Sequence, residues 1–116
     1  MTTLAAARAR YAQALAHDVE SLVRQLGATP EVQQVMLCGS YAAGRCDLFT
    51  DLDVLVVMQS ALDFVARRAA LTRRLHATVA LDLVVYTPEE LQRLRQRPLV
   101  RHILQTGRVL YERTSP

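Results

Sequence analysis

Two aspartates separated by a single leucine, Asp51 and Asp53, open an apolar run, and a Gly39-Ser40 pair closes the apolar run before it; residues 39–57 read GSYAAGRCDLFTDLDVLVV. Side chains alternate along a strand, so Asp51 and Asp53 project to one face while Leu52 and Val54 project to the other. Two carboxylates about 4 Å apart repel by roughly 4 kcal/mol at an effective dielectric of about 20, and a packed chain keeps such a pair only with a counter-charge. A divalent cation supplies it, and Mg²⁺ suits a few carboxylates completed by phosphate oxygens. A third acid, Asp82, is the one charged residue in TVALDLVVY, residues 78–86. A carboxylate within an apolar strand must be solvated, paired or bound to a cation, and beside the second strand it reaches the first two. Gly39 lets backbone approach an anion without a Cβ, and the Ser40 hydroxyl with nearby N–H groups can donate to phosphate oxygens. Taken alone, the Asp-x-Asp suits a capped turn and the Gly-Ser pair a plain one; together they suit phosphate chemistry.

The elements that must position these residues follow from periodicity. Leu15, Val19, Leu22, Val23 and Leu26 recur at helical spacing within Thr3–Leu26, and Gly27 with Pro30 stops the pattern. Val32–Cys38 is a short apolar run that predicts a buried first strand, residues 41–44 one helical turn, and Thr50–Met58 the second strand. Ser60 is the expected N-cap of a helix over residues 61–76, with Leu62, Val65, Ala69, Thr72 and Leu75 on its inner side. Arg67, Arg68, Arg73 and Arg74 are expected to form its solvated face. A third strand spans residues 78–86. Thr87-Pro88-Glu89-Glu90 then has the residues of a capping box for a helix to about Gln96. Another helix runs from Pro98 to Gln105, Gly107 breaks it, and residues 109–111 form a short extended tail. The order implies an α/β fold with a small mixed β-sheet flanked by helices, in one domain over residues 1–116.

With 116 residues, one core is expected, built from Leu, Val and Ala because only 5% of the chain is aromatic against 51% hydrophobic. No apolar run approaches the roughly 20 residues of a membrane span, and the arginine-interleaved start does not read as a secretory signal, so a cytoplasmic protein is expected. Cys38 and Cys46 fit neither zinc nor redox spacing and are read as free thiols. All 14 basic residues are arginine and the net charge is +3, compatible with nucleotide phosphates or an acidic partner but short of the basic stripe of a nucleic-acid binder. His76 and His102 stand alone without metal spacing and are assigned structural or surface roles.

Gly39-Ser40, Gly44, Asp51-x-Asp53 and the later lone Asp82 together resemble the minimal nucleotidyltransferases of the polymerase-β-like superfamily. The resemblance covers about Val32–Tyr86, and ILQTGRVLY, residues 103–111, resembles the way such short chains end. It implies the polymerase-β-like nucleotidyltransferase fold, Mg²⁺ held by Asp51, Asp53 and Asp82, and transfer of a nucleoside monophosphate from a nucleoside triphosphate such as ATP. Gly39, Ser40, Tyr41, Gly44 and Thr50 would serve the nucleotide, with Tyr41 either stacking on it or packing against its own loop. Thr50 stands where many relatives have Ser, Ala43 where a basic residue is common, and Arg45 where an acidic one is frequent.

The resemblance further implies a partner, a small helical HEPN-type protein that such chains modify as the antitoxin of a toxin–antitoxin pair. The helix over residues 3–26 and the arginine-rich helix are the surfaces expected to engage it; self-association is left open. Two alternatives stand beside this reading: a catalytically silent module that neutralises its partner by contact, and a nucleotidyltransferase acting on a small molecule such as an antibiotic.

Overall fold

The computed structural model describes residues 3–114, so the expected domain over residues 1–116 reaches two residues beyond it at each end. Helix α1 (Leu4–Gly27) is followed by β1 (Val32–Cys38), a short α2 (Gly39–Ala42), β2 (Leu52–Met58), α3 (Phe64–Arg74), β3 (Leu81–Tyr86), α4 (Pro88–Leu94), α5 (Pro98–Thr106) and β4 (Arg108–Glu112). The strands form one mixed sheet in the order β3-β2-β1-β4, with β2 parallel to β3 and β1 antiparallel to both β2 and β4.

Period-two alternation divides this sheet into two faces. Leu52, Val54, Val56 and Met58 of β2 and Leu83 and Val85 of β3 join Leu15, Leu22 and Leu26 of α1 and Leu71 of α3 in the main core. Met36, Cys38, Leu55 and Val57 point the opposite way, toward Ile103 of α5, in a smaller cluster that Leu91 of α4 also touches. Val32 and Val35 both reach the main core despite their odd spacing because the ladder shifts register between Val32 and Gln34. Burying a leucine of this core stabilises the fold by about 1.5–3 kcal/mol.

Helix α1 also fixes the approaches to both acid-bearing strands. The Tyr11 hydroxyl donates to the Thr50 carbonyl at 2.6 Å, directly before Asp51. Asp18, buried within the apolar stripe, accepts from the Thr78 N–H, the Thr78 hydroxyl and the Val79 N–H at 2.7–2.9 Å. Those donors are spent on Asp18, which is why β3 starts at Leu81 and not at residue 78. Similarly, Asp47 holds residues 47–50 in a turn by accepting from the Phe49 N–H and the Thr50 hydroxyl, so β2 starts at Leu52 and Asp51 lies just before it.

Other boundaries and one helix face differ from expectation. Helix α3 starts at Phe64 with Asp63 as its cap, accepting from the Ala66 N–H at 2.8 Å, while Ser60 closes a local turn onto Leu62. Its buried side chains are Arg67 and Leu71, and of the expected inner face only Leu75 packs against the core, with Val65 75% exposed. Arg67 tolerates burial because its two terminal guanidinium nitrogens are engaged from the end of β3 to α4, donating to the Val85 carbonyl at 2.9 Å, to the Leu62 carbonyl at 3.0 Å and to Glu90 at 2.6 Å, while its Nε stays without a partner. Glu90 also completes the expected capping box with Thr87, and α4 ends at Leu94. The turn expected over residues 41–44 is shifted to α2, and the expected tail is a true strand, β4, paired with β1.

Because the Arg67 hydrogen bond holds the Glu90 carboxyl below its ordinary value of 4.5 against the opposing effect of burial, the stabilisation is present above that pH and fades as pH falls below it. Arg67→Met is expected to lower the unfolding free energy by about 2–4 kcal/mol in urea titrations at neutral pH. The gap to the parent protein is expected to shrink as the titrations are repeated below pH 4.5.

Candidate active site

Asp53 on β2 and Asp82 on β3 are register partners across a parallel pair, so their side chains leave the same face side by side. That face carries the smaller core. Asp51, two residues before Asp53, is close enough for its charge to act on it. Burial first, then the charges of Asp51 and Asp82, push the Asp53 carboxyl above its ordinary value. The same surroundings push the Cys38 thiol up to about 11, burial again contributing most and Asp53 next. Cys38 and Cys46 are both free thiols, Cys38 buried and Cys46 exposed.

Asp82 is not left to the other acids alone. Arg68 of α3 donates to its Oδ1 at 2.9 Å, an ion pair whose two side chains are about half exposed. Neither Arg67 nor Arg68 therefore belongs to a bare solvated face. Among the described residues no three His, Cys, Asp or Glu side chains stand close enough to share one cation. Asp53 and Asp82 share a face, Asp51 adds its charge from just before β2, and Asp82 is turned to an arginine. Sequence reading missed Arg68, although an exposed acid in an apolar strand calls for a counter-charge on the nearest helix.

The Gly-Ser turn is built against the same acids. Gly39 has φ +73°, and a Cβ placed on it would land on the Asp53 carboxylate, so both backbone and space require glycine. Helix α2 ends in a Schellman arrangement: the Arg45 N–H donates to the Ser40 carbonyl at 2.9 Å and the Gly44 N–H to the Tyr41 carbonyl at 3.0 Å, with Gly44 at φ +99°. Tyr41 packs against the main core. Thr50 is buried in the Asp47 turn, whose carboxyl Arg45 and the Phe49 N–H hold down at about 2.

A cavity of about 560 Å³ opens between these parts. Cys38, Gly39, Ser40, Ala43, Asp53, Asp82 and Val84 line the side formed by the sheet and α2, and Leu99, His102, Ile103 and Thr106 of α5 line the other. His102, expected to be a surface or structural residue, stands in that wall. The signal was present in the sequence: residues 99, 102 and 106 fall on one helical face, while Val100 and Ile103 are the side chains that α5 buries. A second cavity of about 610 Å³ lies at the other end of β2, beside Met58, Gln59, Arg67 and Arg74. It has neither the Gly-Ser turn nor the aspartates.

Gly44→Ala is expected to cost about 1–2 kcal/mol through backbone strain alone, since nothing lies within 4 Å of the added methyl. Gly39→Ala is expected to cost more in the same urea titrations, and to move the amide NMR resonances around Asp53 where Gly44→Ala does not.

No model of a known protein family matches the sequence, and no curated protein matches it. Solved structures do. A candidate nucleotidyltransferase from Sulfolobus solfataricus aligns over 97% of this chain and 90% of its own, with a TM-score of 0.59 at 18% identity. A toxin–antitoxin structure with AMP-PNP aligns over 83% of this chain and 74% of its own, with a TM-score of 0.53 at 22% identity. A variant of the MntA–HpeT toxin–antitoxin complex aligns over 85% and 73%, with a TM-score of 0.50 at 24% identity. The mixed sheet that sets Asp53 beside Asp82 above the Gly39-Ser40 turn is thus the nucleotidyltransferase fold that the sequence resembles.

Proposed function

We propose that this chain is a Mg²⁺-dependent nucleotidyltransferase that moves a nucleoside monophosphate, AMP from ATP, onto a hydroxyl of a partner protein. The observation that carries the reading is the convergence of Asp53 and Asp82 with the Gly39-Ser40 turn in the wall of one cavity, with Asp51 acting on Asp53 from just outside it. The fold of the solved neighbours supports it, as does the AMP-PNP in one of them.

The donor set suits a hard cation. Asp53 and Asp82, partners in register, offer carboxylate oxygens with Asp51 adding its charge from just before β2, and the Asp53 carboxyl, raised by burial first and then by those two charges, gains from a divalent ion. Bound there, Mg²⁺ would supply the positive charge that neutralises the triphosphate and the departing pyrophosphate. Gly39 and Ser40 donate to the β- and γ-phosphates. Asp82 accepts the proton of the acceptor hydroxyl, whose oxygen attacks the α-phosphorus in line as the bond to pyrophosphate breaks. Rate acceleration comes mostly from position and charge.

Two of the solved neighbours are toxin–antitoxin structures, which supports a helical HEPN-type protein as the acceptor and an antitoxin role for this chain. The proposed contact surfaces are α1, whose first turns are exposed, and the arginine-rich α3. The ion pair between Arg68 and Asp82 favours a second reading, in which the chain neutralises that partner by contact without chemistry.

With ATP labelled on its α-phosphate, Mg²⁺ and a small helical protein encoded beside this chain, label is expected on that protein. EDTA is expected to abolish transfer, and Asp51→Asn or Asp53→Asn to reduce it about 100-fold or more with the fold retained. Partner inhibition that survives in both variants would instead establish the contact reading.

A further inference from the structure

We infer that α5 is the nucleobase wall of this cavity, with Leu99, His102 and Thr106 holding the base and the His102 ring as the flat surface it rests on. The inference rests on the assignment of Gly39, Ser40 and the aspartates to the triphosphate end.

The two sides of the cavity differ in kind. The sheet side carries Gly39, Ser40, Asp53 and Asp82, groups suited to phosphates and a cation; α5 carries Leu99, His102, Ile103 and Thr106. A nucleotide has the same asymmetry, a charged tail joined through ribose to a flat ring with an apolar face. The volume of about 560 Å³ lies within the range of small-molecule and cofactor sites. Gly39 is fixed by its positive φ against the Asp53 carboxylate, so a triphosphate held at Gly39 and Ser40 leaves the part of the cavity lined by α5 for the base.

The helix is built to present this face. Val100 and Ile103 are 3% and 8% exposed, and Ile103 anchors α5 in the smaller core on the sheet. Leu99, 66% exposed, is a large aliphatic side chain on the cavity rim with water on it, and a base would cover it. His102 follows one turn on and Thr106 one turn further. An imidazole offers a π-face to any base and ring nitrogens at its edge, which makes it the group of this wall able to tell a nucleotide from its phosphates.

The test compares Mg·ATP with Mg·tripolyphosphate, which occupies the charged end alone, by isothermal titration calorimetry on the full chain. His102→Ala and Leu99→Ser are expected to weaken Mg·ATP about 5- to 50-fold and to leave tripolyphosphate within twofold. His102→Phe is expected to retain Mg·ATP affinity, and Arg101→Ala, outside this cavity wall, to change neither ligand. Circular dichroism checks that each variant is folded. An equal loss for both ligands in His102→Ala, or no loss for either, overturns the base wall while leaving the phosphate site standing. Failure of the parent chain to bind either ligand overturns both.

Discussion

The register between β2 and β3 is the constraint on which the site depends. Parallel strands carry evenly spaced, slanted hydrogen bonds, and a slip of one residue would send Asp82 through the sheet into the main core. Such a slip would also expel Leu83 and Val85, buried at 2% and 0% exposure, to the open face. The penalty for misplacing the acid is therefore levied by its apolar neighbours, several kcal/mol at about 1.5–3 kcal/mol for each buried side chain. Site geometry is secured by residues that never touch substrate. Helix α1 reinforces the same register from outside, since Tyr11 and Asp18 hold the segments that lead into the two strands.

Charge balance then shapes what the sheet presents. Asp53 is partly buried and feels two other carboxylates, whereas Asp82 is largely exposed and has Arg68 at hand. An exposed pair of this kind contributes about 0–1 kcal/mol, small enough to be exchanged for a stronger partner. The contrast with Arg67, one residue earlier, is instructive. Arg67 is 4% exposed and bound to a carboxylate and two carbonyls, so it is architecture that closes α3 onto α4. Adjacent arginines on one helix thus do different work because a step of about 100° aims them at different neighbours.

What the sequence made legible follows the range of each interaction. β1 is legible to the residue because a mostly apolar run, VQQVMLC, ends at a glycine, both local signals. The Thr87 capping box and the mixed α/β order were equally local, and the three acids stood out because each interrupts or opens an apolar strand. Arg67 was misread because the periodicity counts arginine as polar, while its burial depends on Glu90, 23 residues away. The start of α3 was misplaced because Ser60 and Asp63 are both good N-caps, and only the local turn from Ser60 onto Leu62 decides between them. Asp18 gave no sign at all: a single acid on a helix looks solvated until the strand that needs it is in place. His102 is exposed, as expected, and its place on the helical face opposite Val100 is what also puts it in the cavity wall.

The cavity itself results from what these acids displace. Along β2 the face toward α5 reads Asp53, Leu55, Val57, and along β3 it reads Asp82, Val84, Tyr86, so the apolar positions lie at one end of both strands. The smaller core gathers there, around Leu55, Val57 and Ile103, and no apolar side chain can be laid over the aspartates without stranding their charge. Helix α5 is consequently anchored over one end of the sheet and stands off the other. The gap between helix and acids is open because filling it would cost more than leaving it to water, and a ligand that brings its own charge and an apolar ring is what such a gap can accept.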